Sequence, residues 1–143
     1  MKKVICLIAV ALMVASVVFA AGKMKFTVQD LPGLKGTWEG IVSFGEYDAG
    51  TSPMTLEILN DALPLKARLT VRNIPQGVAN QFSVRSGQNV FESDEGTITS
   101  QGTIMWVGTQ RPGFCEVSKG ENKLNFWYFL NGVKGEATLK KKK

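Results

Sequence analysis

Residues Asn122 to Lys140 read NKLNFWYFLNGVKGEATLK, and no other stretch constrains the fold as tightly. Asn131-Gly132 is a strong hairpin signal, because a type I′ turn needs positive φ at both central residues, which Asn and Gly tolerate best. A two-residue loop sets the register. It places Leu130 opposite Val133, Tyr128 opposite Gly135, Phe126 opposite Ala137 and Leu124 opposite Leu139. Every member of that face is apolar or small. The other face pairs Phe129 with Lys134, Trp127 with Glu136, Asn125 with Thr138 and Lys123 with Lys140. Side chains alternate across a strand, so one face is core and the other meets water. A slip of one residue would turn the whole apolar set outward, so burial holds the register.

Trp127 and Phe129 fall on the outer face, and two readings are open. In one, the stems of Lys134 and Glu136 cover the rings, as long charged side chains do. In the other, the rings form an exposed patch that binds a partner.

The chain begins like a secretory precursor. Lys2 and Lys3 provide a positive start, Val4 to Val18 is almost unbroken apolar, and Val18-Phe19-Ala20 offers small residues where a signal peptidase reads them. Cleavage is expected after Ala20. The alternative is an uncleaved anchor, since the apolar run continues to Ala21. The resulting division is a signal peptide at 1–20, a lead-in at 21–34, a barrel domain at 35–140 and a basic tail at 141–143.

The chain after the leader is long enough for one domain with a real core. It holds a single cysteine, Cys115, so no disulfide forms within one chain. Between Phe114 and Val117 on an expected strand, that thiol reads as a small buried hydrophobe, the alternatives being a free reactive group or an intermolecular link. The formal charge of +5 misleads. Lys2 and Lys3 leave with the signal, and Lys140 to Lys143 read as a solvated end. Of 17 basic residues, 11 then remain against 12 acidic ones. A near-neutral body gives nucleic acid no electrostatic footprint.

Further strands read clearly. Gly36 to Gly45 puts Trp38, Val42 and Phe44 on one face. Pro53 to Leu59 follows a turn at Glu46 to Ser52. Leu65 to Arg72 alternates cleanly, with Leu65, Ala67, Leu69 and Val71 facing in and Lys66, Arg68 and Arg72 facing out. Such a basic row reads as a solvated face that discourages edge pairing, with an anion site as the alternative. Shorter pieces follow at Val78 to Val84, Asn89 to Glu92, Thr97 to Thr99, Thr103 to Val107 and Phe114 to Ser118. Lys25 to Gln29 reads as a short strand, and Leu31-Pro32-Gly33 as a turn. With no helical stretch after the leader, the expected class is all-β. Short connections favour an antiparallel up-and-down order of eight to ten strands, and closure into a barrel removes its edges.

The chain contains no histidine. This removes the usual neutral-pH base, the commonest metal ligand and any Ser-His or Cys-His pair. One remaining cysteine rules out a thiolate zinc site within a chain. Glu92, Asp94 and Glu95 surround an expected turn and have calcium-type oxygens, but their spacing matches no calcium loop. Glu46 and Asp48 are weaker. The expectation is no enzyme, no cofactor and no metal. The inward aromatics Trp38, Phe44, Trp106, Phe126 and Tyr128 are the candidate ligand-binding residues, with Phe91 a further inward ring. An eight-stranded barrel can fill itself or hold one small ligand.

Gly36-Thr37-Trp38, just after Leu31-Pro32-Gly33-Leu34, resembles the Gly-x-Trp signature that opens lipocalins and related barrels. In that superfamily the Trp closes the barrel bottom and a basic residue of the last strand packs over it. The resemblance implies a closed antiparallel barrel binding a small apolar molecule, with Lys140 in the place of the basic residue. The superfamily's later Thr-Asp-Tyr-type motif is absent.

Two functions compete on the sequence. One is an exported, periplasmic or secreted barrel that binds a small hydrophobic ligand in its interior. The other is a filled barrel that binds a protein or envelope component through Trp127 and Phe129.

Overall fold

Eight antiparallel strands in sequence order, with the last hydrogen-bonded to the first, make a closed up-and-down barrel. The computed structural model describes residues 24–45, 50–82, 87–108, 113–130 and 133–143. The leader, the carboxylates Glu46 and Asp48, and the turn at Asn131-Gly132 lie outside the described residues. The strands are β1 (Gly36–Phe44), β2 (Thr51–Ile58), β3 (Leu65–Ile74), β4 (Gly87–Ile98), β5 (Ile104–Val107), β6 (Gly113–Gly120), β7 (Lys123–Leu130) and β8 (Val133–Lys141).

The β7–β8 register is the one the sequence dictates: Leu124 opposite Leu139, Phe126 opposite Ala137, Tyr128 opposite Gly135. Leu124, Phe126 and Leu139 are buried, and Phe129 is exposed. Closure pairs Trp38 with Lys141 and Phe44 with Gly135. At Gly40 the two strands come so close that a Cβ would run into the Thr138 carbonyl and the Leu139 side chain. Glycine is required there by contact with the neighbouring strand, not by backbone angle.

One end of the barrel is sealed by the lead-in. It contains a 3-10 turn (Val28–Asp30) running into a helical turn, α1 (Leu31–Leu34), not a strand and a turn. Phe26, Leu31 and Leu34 are buried against the barrel. The Phe26 amide donates to the Gly102 carbonyl in the β4–β5 turn at 2.8 Å. Trp38 donates its indole N–H to the Leu34 carbonyl at 2.9 Å. Lys141, and not Lys140, covers that ring: its Nζ lies 5.7 Å from the ring centroid and donates to the Gly33 carbonyl at 2.7 Å. Lys140 pairs with Glu39 in the ladder instead. The terminal lysines are therefore not simply a solvated tail. β8 runs through Lys141, and the Lys142 amide still donates to Thr37.

Two other expectations change. Residues Val78 to Phe82 do not make a strand, and the rest of that expected piece, Ser83 and Val84, lies outside the described residues. A short helix, α2 (Gln76–Phe82), connects β3 to β4 and buries Val78 and Ala79. Pro75 precedes it and its carbonyl receives the Ala79 amide, as suits a helix start. The acidic stretch Glu92 to Glu95 is not a turn. β4 runs through it for 12 residues. Opposite it, Leu65 pairs with Gly96 and Ala67 with Ser93, so β4 carries one extra residue in a β-bulge at Asp94-Glu95.

The lead-in is pinned electrostatically. Asp30 accepts from the Thr27 amide at 2.8 Å and from the Thr27 hydroxyl at 3.1 Å, and Lys119 of β6 reaches its other oxygen. The Lys119 hydrogen bond, then the Thr27 amide, hold the Asp30 carboxyl below its ordinary value against the opposing effect of burial. A carboxylate with a depressed folded pKa stabilises the fold above its unfolded pKa, and this is lost as pH falls through the folded one. Asp30→Asn should therefore lower stability by about 1 kcal/mol at pH 7, the typical worth of such a cap. Urea unfolding at neutral and strongly acidic pH checks it: the deficit should shrink on acidification, and an equal deficit at both would contradict the assignment.

Candidate functional site

The core is packed toward the sealed end and hollow toward the other. A cavity of about 500 Å³ lies among β1 to β7 under α2. That is within the range of small-molecule sites, roughly 300–1,000 Å³. Inward positions of β1, β2 and β3 supply Phe44, Leu56, Ala67, Leu69, Val71 and Ile74, and Val78 of α2 closes over them. Asn89, Phe91 and Ser93 come from β4, Trp106 from β5, Cys115 from β6 and Tyr128 from β7.

Two glycines decide where the rings lie. A Cβ at Gly96 would collide with the Trp106 indole, and one at Gly135 with the Tyr128 ring. Trp106 lies flat across β4 and donates its N–H to the Leu65 carbonyl at 3.0 Å. It is enclosed, at 2% exposure, yet lines the cavity, so it is the floor between packed core and open space. Tyr128 folds back onto β8 over Gly135, edge-on to Phe44 at 6.4 Å and tilted against Phe126 at 6.1 Å. Burial raises its phenol pKa above the ordinary value. With larger residues at 96 and 135, these rings would have to swing into the space that is now empty.

Of the five candidate ligand-binding residues, the structure brings Phe44, Trp106 and Tyr128 together on the cavity wall. Trp38 and Phe126 are buried in the core and do not line it. Phe91 does. Sequence reasoning missed Asn89 and Ser93. Their signal is the alternation Asn89-Phe91-Ser93, visible once β4 is taken as one strand. On the outer face Phe114, Trp127 and Phe129 cluster, with centroids 5.0 Å apart for Phe114 and Trp127 and 6.2 Å for Phe114 and Phe129. Lys134 sits 5.9 Å over Trp127 and pairs with Glu136, so this ring is partly covered as the stem-packing reading expects. Phe129 remains 44% exposed.

Among the described residues, no group of three or more Cys, Asp or Glu side chains is arranged to hold a metal ion. Glu92 is engaged by Arg68 at 2.7 Å, and Arg68 also pairs with Glu57 at 3.8 Å.

Neither protein-family models, nor curated proteins, nor solved structures give a match to this chain. The likeness to lipocalins therefore rests on architecture, a closed eight-stranded antiparallel barrel, and on the Trp38–Lys141 closure.

Cys115 offers a direct probe of the cavity wall. Burial pushes its thiol up to about 12, with a smaller opposing effect of the Trp106 backbone. The thiolate is the nucleophile. Iodoacetamide should therefore label Cys115 slowly in the folded protein at pH 8 and at an ordinary thiol rate in urea. Mass spectrometry reads the result, and equal rates in both states would place the thiol in solvent.

Proposed function

We propose that this is an exported, non-enzymatic barrel that binds one small apolar ligand in its interior. The cavity carries the proposal. Its wall is mostly aliphatic and aromatic, with Asn89, Ser93, the Tyr128 hydroxyl and the Cys115 thiol as its inward polar groups. Apolar lining with a few placed polar atoms is the composition of small-molecule sites. The outer face bears the ion pairs Arg68–Glu57, Arg68–Glu92 and Lys134–Glu136. Charge outside and hydrocarbon inside is the reverse of a membrane-spanning barrel. Export is supported by the leader alone, from Lys2 to Ala20.

A second reading, a module that binds a protein or envelope component, draws on the outer cluster of Phe114, Trp127 and Phe129. The cavity is favoured over it because Trp127 is already partly covered by Lys134. Counted without the leader but with the lysines that β8 takes in, 15 basic residues against 12 acidic ones are a weak footprint for nucleic acid under either reading.

Titration with palmitic acid or retinol should change tryptophan fluorescence saturably at one site, because Trp106 forms the cavity floor. Ala67→Phe, which adds a ring to the wall, should weaken that binding by roughly tenfold or more while the fold survives. A linear, non-saturating response to both probes would remove the proposal. Export has its own check: the protein recovered outside the cytoplasm should begin at Ala21 by intact mass, and retention of residues 1–20 would favour the anchor.

A further inference from the structure

Charge is distributed unevenly along the barrel. The lead-in, the β2–β3 and β6–β7 connections and the last residues of β8 all lie at the sealed end. Lys25, Lys35, Lys123, Lys140 and Lys141 stand there, all exposed, and none has a carboxylate within ion-pair distance among the described residues. Lys141 is held by the Trp38 ring and the Gly33 carbonyl, neither of which cancels its charge. Of the acids at this end, Asp30 is taken up by Lys119 and Glu39 by Lys142, which leaves Asp61 and Glu121. The side wall leans the other way: β4 carries Glu92, Asp94 and Glu95 and no lysine or arginine.

The basic end also exposes hydrocarbon. Phe26, Leu31 and Leu34 of the lead-in are buried in the barrel, whereas Met24 and Val28 are 52% and 65% exposed. In the β2–β3 connection, Leu59 and Leu63 are 44% and 43% exposed. That connection is braced by Asn60, whose amide donates to the Ala62 and Pro64 carbonyls at 2.8 and 3.0 Å and whose carbonyl accepts from the Lys66 amide at 2.7 Å. A loop already held in shape loses little freedom on docking. One exposed leucine needs no explanation. Four apolar side chains among unpaired lysines at one end of a barrel do.

A lipid surface takes both kinds of group. Its acyl boundary accepts the apolar side chains, and anionic headgroups accept lysines whose stems lie along the hydrocarbon. Duplex nucleic acid offers phosphates but nothing for Val28 and Leu63 to enter. The sequence places a second bilayer-seeking element at the same end: the residues before Met24 join the barrel there, and they include the apolar run Val4 to Val18. We propose that the sealed end docks on an anionic lipid bilayer, its apolar side chains at the headgroup–acyl boundary and its lysines on lipid phosphates. The cavity end then points away from the membrane. A leader kept as an anchor would hold this end at the bilayer, and with the leader cleaved the patch binds reversibly by itself. The proposal does not depend on the cavity being a ligand site.

Every strand pair and the seal lie within residues 24–143, so residues 21–143 form the barrel without the leader and are the sample to test. Flotation reads binding to vesicles of phosphatidylcholine alone or with about one-third phosphatidylglycerol, and circular dichroism verifies the sheet in each variant. The mixed vesicles should bind at least roughly tenfold tighter than the neutral ones, and high salt should erase the difference. Lys35→Ser and Lys123→Ser should each weaken binding to mixed vesicles by roughly fivefold. Arg72→Ser, which removes the same charge from the open half of β3, should leave it unchanged. Leu59→Ser/Leu63→Ser should weaken it by roughly tenfold. Equal binding to the two kinds of vesicle, binding to neither, or a loss in Arg72→Ser equal to that in Lys35→Ser would overturn the proposal. Duplex DNA bound more tightly than mixed vesicles, with the leucine variant unaffected, would make the surface a nucleic-acid surface and overturn the lipid assignment.

Discussion

Everything else in this fold depends on β1 closing against β8. A sheet of eight strands that stayed open would leave two long edges and an apolar face in water. Closure needs the two strands to approach at Gly40, where a side chain would collide with β8. It also needs the end of the barrel to be filled, and Trp38 does this. Its indole N–H is satisfied by Leu34, its face by Lys141, and its edge by the lead-in residues packed beneath. Lys141 works as two devices at once, a cation over an aromatic ring and a donor to the Gly33 carbonyl. The lead-in is thus part of the barrel rather than an appendage, and Asp30 with Lys119 ties it to a strand far away in sequence.

Whether such a barrel is solid or hollow is decided by pairing large residues with glycine across strands. Trp106 over Gly96 and Tyr128 over Gly135 lay their rings along the wall, not across the lumen. The sealed half is solid because β-branched and leucine side chains meet there: Ile58, Leu65, Ile104, Val117, Leu124 and Leu139 are all essentially fully enclosed. The same eight strands therefore contain a core and a cavity with Trp106 between them.

The sequence discloses the sheet better than it discloses the site. Period-two alternation carries β1, β3, β7 and β8, because one face of each is apolar and the other charged. The Asn131-Gly132 signal carries the register of the closing hairpin. Legibility fails where a local signal is ambiguous. Glu92 to Glu95 has the composition of a turn, but a bulge lets the strand continue through it. α2 is too short for a helical period to show, and its Val78-Ala79 pair fits a strand as readily. The choice of Lys141 over Lys140 depends on a one-residue register between strands about a hundred residues apart, which no local pattern encodes. Inward aromatics were legible as a set. Which of them border empty space was not, since this depends on the partner across the strand.

A hollow of this size sets a condition on the rest of the barrel. At roughly 24 cal/mol per Å³, a dry void of about 500 Å³ inside a closed core would cost about 12 kcal/mol, comparable to the whole stability of a typical domain. A fold of this size cannot carry that penalty as a sealed hole. An opening to solvent avoids it, because water can then occupy the space when no ligand does. A molecule that displaced the water would bury its own apolar surface against the wall of Phe44, Leu56, Val71 and Trp106. It would stabilise the barrel by mass action, in proportion to its concentration relative to its dissociation constant.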